Sequence, residues 1–273
     1  MVLFPNAKIN IGLNILRKRD DGYHDIETLF YPIGLKDALE YVEKGGNGVN
    51  FAGSGLNLDI DPEQNIVVKA YRLLQEECVL PGLDIHLHKV IPFGAGLGGG
   101  SSDAAFLLRS LNDHFELNIP VEKVKSLAGR LGADCAFFLE NRAAYATGTG
   151  ADLEPLDFSL KGYYLVLVKP PFGVDTKTAY SGVVPSEFPF NFKEIIVEQI
   201  SNWEGRIKND FETTLFVKFP ELAHIKNRLS DIGAVYASMS GSGSSVYGIF
   251  DQKPVVNPGD FPTGSFIWQE ELS

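Results

Sequence analysis

Five of the seven residues from 94 to 100 are glycine, and the run separates a strand-like stretch from a helix-like one. Upstream, Leu83-Asp84-Ile85-His86-Leu87-His88-Lys89 alternates apolar and polar side chains, the period of a half-buried strand. Downstream, Ala104, Leu107, Leu108, Leu111 and Phe115 recur at the spacing of one helix face, with Ser101 and Ser102 as candidate N-caps. Few folds accommodate such a unit. Glycine allows positive φ and close approach of a ligand to the backbone, while a helix start presents unpaired N–H groups and the positive end of a dipole. Together these form a phosphate cradle that needs no net positive charge. Pro92, Phe93, Gly94, Ala95, Gly96, Leu97, Gly98, Gly99, Gly100, Ser101 and Ser102 are therefore candidate phosphate-binding residues. A flexible surface loop is the alternative.

Known phosphate loops do not fit the surroundings. Gly94, Gly96 and Gly99 satisfy G-x-G-x-x-G, but a dinucleotide fold wants a strand after the helix. Here a second helical pattern follows from Pro120, with Val124, Leu127, Ala128 and Leu131, closed by Gly132. A Walker loop needs lysine before the serine, where Gly100 stands, and the later signatures of a protein kinase are missing. The net charge of −11, from 24 Lys+Arg against 35 Asp+Glu, argues against a nucleic-acid partner. No apolar run long enough to span a membrane is present, and the first residues lack the pattern of a signal peptide. Two cysteines, Cys78 and Cys135, are too few for a disulfide scaffold or a zinc site and fit the cytoplasm.

At 273 residues the chain holds one large domain or two small ones, and the polar segment 150–161 predicts a boundary giving 1–155 and 156–273. Residues 7–16 read as a strand that contains Lys8, an unusual place for an ammonium unless it snorkels to the surface. Residues 26–42 read as further strand and turn, and the five glycines within 43–57 as hairpin turns. Residues 62–77 read as a helix and 163–168 as a buried strand. Helical patterns follow near 191–203 and 221–232, then a strand–turn–strand around Ser240-Gly241-Ser242-Gly243-Ser244-Ser245. His86 and His88 share a strand face at a spacing that suits a metal ion, but no third ligand lies nearby, which favours a solvated or hydrogen-bonded face. Residues 251–273 carry no chemical signature.

The loop Gly94-Ala95-Gly96-Leu97-Gly98-Gly99-Gly100-Ser101-Ser102-Asp103-Ala104-Ala105 resembles the ATP loop of the GHMP small-molecule kinases. Its long form is similar to one branch, which acts on 4-diphosphocytidyl-2-C-methyl-D-erythritol in non-mevalonate isoprenoid synthesis. Four further stretches resemble that branch: Ala7-Lys8-Ile9-Asn10-Ile11, Asp20-Asp21-Gly22-Tyr23-His24, Leu131-Gly132-Ala133-Asp134, and Met239 to Ser245. Asn209-Asp210-Phe211-Glu212 also fits. The resemblance implies an α+β, two-domain GHMP kinase fold. An N-terminal ribosomal protein S5 domain 2-like domain would pack against a C-terminal α+β domain, with the site in the cleft between them.

It also implies transfer of the γ-phosphoryl of ATP to the 2-hydroxyl of that acceptor, with Mg²⁺ accompanying ATP. Asp134 would accept the hydroxyl proton and Lys8 would favour the developing alkoxide, the two forming the catalytic pair. Lys89 and Asn65 match positions near the nucleotide. Asn10, Tyr23, His24 and Tyr180 match the acceptor side, where an aromatic ring stacks on cytosine and histidine hydrogen-bonds its edge. Gly241, Ser242 and Gly243 would shape the side that takes the acceptor phosphates. No metal ligands follow from the pattern. The alternatives are another GHMP kinase of mevalonate or homoserine type, or a non-catalytic nucleotide-binding paralogue. The expected partners are the two small-molecule substrates, with neither nucleic acid nor membrane, and the chain a monomer or weak homodimer.

Overall fold

The chain is described by a computed structural model covering residues 1–56, 61–186 and 191–273. Its elements run β1 (Val2–Leu3), β2 (Asn6–Lys18), β3 (His24–Lys36), β4 (Ala38–Lys44), β5 (Val49–Gly55), α1 (Ile66–Gln75), β6 (Gly82–Lys89), α2 (Gly99–His114), α3 (Val121–Leu131), α4 (Cys135–Glu140), β7 (Ala144–Thr147), β8 (Asp152–Pro155), β9 (Tyr164–Lys169), α5 (Thr176–Tyr180), α6 (Phe192–Ile196), α7 (Phe211–Lys218), α8 (Pro220–Asp231), β10 (Tyr236–Met239), β11 (Val246–Phe250) and β12 (Phe266–Glu271). They form two compact units that are interleaved along the chain. One comprises residues 1–7, 35–93 and 98–141, the other 8–34, 94–97 and 142–273. These units do not follow the single cut read at 155. The reason is hydrogen bonding between early and late segments: Leu13 N donates to Lys208 O, Asp210 N to Leu13 O, and Ser245 N to Ala95 O.

The first unit builds a four-stranded sheet in the order β1-β4-β6-β5. Alternation along β6 buries Leu83, Ile85 and Leu87 on one face and leaves Asp84, His86 and His88 exposed on the other. The buried face packs with the apolar stripes of α1, α2 and α3, through Tyr71, Leu74, Leu107, Leu111 and Leu127. The glycine-rich stretch read as hairpin turns is a correction: residues 49–55 are the strand β5, parallel to β6, with α1 in the crossover between them. Residue 57, the last of that stretch, lies outside the described residues. His88 Nδ1 meets Ser54 Oγ at 2.9 Å, the hydrogen-bonded face expected there.

The second unit holds two four-stranded sheets, β10-β11-β9-β12 and β2-β3-β7-β8. β9, the buried run expected at 163–168, lies between β11 and β12 and is antiparallel to both. Helices α7 and α8 join its core through Phe211, Leu215, Leu222, Ile225 and Leu229. The segment 251–273, unreadable by pattern, supplies β12. The six-residue helix α4 is also absent from the periodicity, being too short to show a repeat.

Candidate active site

In the first unit, α2 begins at Gly99 and its N-cap is Gly98 in the left-handed region, φ 69°. Ser101 and Ser102 therefore lie inside the first turn and do not cap it. Gly99 is dictated by packing: a Cβ there would sit 2.8 Å from both Lys89 Nζ and Ile91 Cγ2. Strand parity places Lys89 on the buried side with Leu83, Ile85 and Leu87, leaving its side chain 1% exposed. Its ammonium pairs with Asp37 and, at 3.1 Å, with Asp103. Asp37 Oδ1 also accepts from Val90 N at 2.6 Å and Ile91 N at 2.8 Å. Lys89 is thus held in the first unit between the buried carboxyls of Asp37 and Asp103.

Burial pushes the Asp103 carboxyl well above the usual carboxylate range, against the opposing pull of Lys89. Ser102 Oγ and Asp103 Oδ1 are buried without a hydrogen-bond partner among the described residues. Asn65 is buried as the N-cap of α1, its Oδ1 accepting from Val67 N at 2.9 Å. Pro92 is buried and Phe93 is 44% exposed. Asp134 is half-buried at the N-terminus of α4 and makes no capping bond to it.

In the second unit, Lys8 does not snorkel; it is 3% exposed on β2. Its ammonium donates to Asn10 Oδ1 and, at 3.2 Å, to Gly96 O, and it lies 4.8 Å from the centre of the Phe30 ring. Asn10 Nδ2 donates to Thr28 Oγ1 at 3.1 Å. Asn10 thus links the Lys8 ammonium to the Thr28 hydroxyl inside the protein.

The segment 94–97 turns its carbonyls into this unit. Gly94 O accepts from Ser244 N, Ala95 O from Ser245 N, Gly96 O from Lys8 Nζ and Ser240 Oγ, and Leu97 O from Lys8 N. In a trans peptide the N–H points opposite to the carbonyl. The N–H groups of Ala95, Gly96, Leu97 and Gly98 therefore face away from these partners, as a phosphate cradle requires. Gly96 combines φ 72° with a Cβ position only 2.0 Å from Ser240 O, so a glycine is demanded there by the fold itself. Gly241 and Gly243 are buried in the turn between β10 and β11, and Ser242 is half-buried.

The acceptor-side aromatics also gather in this unit. His24 and Tyr180, far apart in sequence, stack with centroids 4.7 Å apart and planes at 20°. Tyr180 also meets the Phe211 ring edge-on. Tyr23 is 66% exposed beside them. Its hairpin is held by Arg19, which pairs with both Asp21 and Asp25. Burial, and next the charge of Lys18, lower the His24 pKa below its ordinary 6.5, so the imidazole is neutral at physiological pH.

Pattern alone missed Asp37, Thr28, Ser240 and the buried part played by Asp103. Asp37 and Thr28 belong to no motif, and for Ser240 and Asp103, which do, only the partners reveal the part played.

These features sit on a shared architecture. The GHMP kinases N terminal domain matches residues 65–142 and the GHMP kinases C terminal domain residues 193–257. The chain is 50% identical to the 4-diphosphocytidyl-2-C-methyl-D-erythritol kinase of Bacteroides fragilis and 48% identical to that of Parabacteroides distasonis, each match covering all of both chains. A crystal structure of 4-(cytidine 5'-diphospho)-2C-methyl-D-erythritol kinase superposes with TM-score 0.80 at 34% identity, covering 93% of this chain and 91% of that one. The chain belongs to the 4-diphosphocytidyl-2-C-methyl-D-erythritol kinase family of GHMP kinases. The α+β GHMP fold expected from the loop is thus present, and this family member is a kinase. No helix among the described residues of this 4-diphosphocytidyl-2-C-methyl-D-erythritol kinase family member is long and apolar enough to cross a membrane.

Proposed function

We propose that the chain transfers the γ-phosphoryl group of ATP to the 2-hydroxyl of 4-diphosphocytidyl-2-C-methyl-D-erythritol, a step of non-mevalonate isoprenoid precursor synthesis. The observation that carries this reading is the glycine loop with its carbonyls turned into the protein, in a chain with full-length relatives of that name. The acceptor oxygen attacks the γ-phosphorus, its new O–P bond forms as the β,γ-bridging bond breaks, and ADP leaves. The hydroxyl proton passes to the Asp134 carboxylate. Lys8, held by Asn10 and Gly96 O, supplies positive charge toward the developing alkoxide. The N–H groups of residues 95–98 and the first turn of α2 hold the polyphosphate of ATP.

Tyr23, His24 and Tyr180 bind the cytosine: the rings supply stacking, and a neutral imidazole can both donate and accept along the base edge. Gly241, Ser242 and Gly243 line the acceptor's phosphates. Among the described residues no three His, Cys, Asp or Glu side chains gather to hold a metal ion. Mg²⁺ belongs in this reading to ATP, and no protein ligand is assigned to it. Both cysteines are free, in keeping with a cytoplasmic site of action, and we expect a monomer or weak homodimer by sedimentation.

The deciding assay mixes the protein with ATP, Mg²⁺ and the cytidine-diphosphate-linked alcohol and looks for the 2-phosphate and ADP in equal amounts. Turnover of mevalonate or homoserine without turnover of this acceptor would overturn the proposal.

A further inference from the structure

The motif Asn209-Asp210-Phe211-Glu212 takes no part in the chemistry above, yet two of its polar residues are buried, Asn209 to 1% exposure and Glu212 to 8%. Asn209 Nδ2 donates to the carbonyls of Met239 and Gly241, each at 2.8 Å, while its Oδ1 accepts from Phe211 N at 3.0 Å. Glu212 Oε1 accepts from Met239 N at 2.8 Å and Ser238 Oγ at 3.0 Å, and its Oε2 pairs with Lys226 Nζ at 2.6 Å. Side chains at the start of α7 thus grip the backbone on both sides of Ser240. A buried amide with all these bonds made cannot shift without leaving carbonyls unpaired.

Ser240, fully buried between the two gripped carbonyls, carries the restraint onward. Its Oγ donates to Gly96 O at 2.8 Å and accepts from Asn10 N at 3.1 Å. Gly96 O and the Asn10 side chain both accept from the Lys8 ammonium. A displaced 239–241 turn therefore moves these two acceptors together. Gly241 adds to the restraint, since a Cβ there would lie 3.1 Å from Asn10 Oδ1.

We propose that Asn209, supported by Glu212, is a positioning residue for Lys8, acting through the 239–241 turn and the Ser240 hydroxyl. The proposal rests on the role of Lys8 given above. Its test is a cycle of Asn209→Ala, Ser240→Ala and the double variant in the full chain, with kcat, ATP affinity by calorimetry and melting temperature measured for each. Each single variant is expected to lower kcat about 10- to 100-fold, with the ATP dissociation constant within about twofold. The double variant should be no slower than the slower single one, because both interrupt one path. Losses that multiply in the double variant would overturn the proposal, as would a lowered melting temperature with unchanged kcat. Should Asn209→Ala not fold, Asn209→Ser takes its place in the cycle. An active Lys8→Ala variant would sink the role of Lys8 itself, while the coupling of Asn209 and Ser240 would still be readable.

Discussion

Asp134 and His24 show how much chemistry a single side chain is asked to carry. Asp134→Asn keeps the shape of the start of α4 but cannot take a proton from the acceptor hydroxyl. Its kcat should fall about 10²-fold or more, with ATP binding retained in calorimetry. Near-normal turnover would remove Asp134 from the reaction. For His24 the sign of the pH effect follows from its environment. Burial and Lys18 lower its pKa, so the neutral ring persists as pH falls past 6.5 and is lost only below that. Acceptor affinity should therefore hold from pH 8 to about 6.5 and weaken at lower pH, whereas His24→Gln should abolish that acid limb. A KM that rises toward alkaline pH in the wild type would contradict this. Lys8 and Lys89 carry the residue-scale lesson about reading a sequence. Both are strand lysines, and the resemblance matches Lys8 to the developing alkoxide and Lys89 to a position near the nucleotide. One is presented to Gly96 O and Asn10 in the second unit, the other is locked between Asp37 and Asp103 in the first. Their local sequence does not say which groups meet them, because those partners are remote along the chain.

At the scale of elements, the strand–loop–helix unit depends on close backbone approaches. Gly96→Ala adds a Cβ 2.0 Å from Ser240 O at a residue with φ 72°. The backbone conformation alone should cost about 1–3 kcal/mol, and relief of the clash must displace the 240–245 turn. The variant should unfold at lower urea and lose kcat together. Beneath the helix start, Lys89→Met leaves Asp37 and Asp103 buried without their cation and should cost on the order of 3–5 kcal/mol in urea unfolding. Asp103→Asn should be far milder. The Asp103 pKa is raised in the fold, so its stabilising contribution is complete below the unfolded pKa near 3.9. That contribution declines as pH rises toward the folded value. Removing the carboxyl flattens this decline, so the variant should gain on the wild type as pH rises. A variant whose stability follows pH like the wild type would show that Asp103 does not titrate this way. The long elements were legible because burial on one side imposes a period: β6, α2 and α8 carry theirs openly. β5 was not, because it is an edge strand whose last four residues are all exposed and include glycines at 53 and 55, a composition that reads as turn.

For the whole molecule, the acid excess and the polyphosphate substrates are reconciled by locality. In the proposed reading, backbone N–H groups and one placed ammonium do the work that a basic surface would do elsewhere. The C-terminal segment is the opposite case, with no local signal and a large structural part. β12 covers an edge of β9, and both oxygens of Glu270 accept from Gly34 N, at 2.8 and 2.9 Å. Deleting residues 266–273 should expose β9 as a long apolar edge and yield aggregates on size-exclusion chromatography. A monodisperse, active truncation would refute this. The chain alone determined its kinase family, its phosphate loop and its main helices and strands. Those depend on backbone geometry and on side-chain periodicity, which are written locally. Only the tertiary structure decided that residues 8–34 and 94–97 group with the C-terminal half, that Lys89 pairs with Asp37 while Asn65 caps α1, and that Asn209 reaches Lys8 through Ser240. Hydrogen bonds and ion pairs between distant residues have no sequence period, so their partners are chosen by the packing of the core that brings them together.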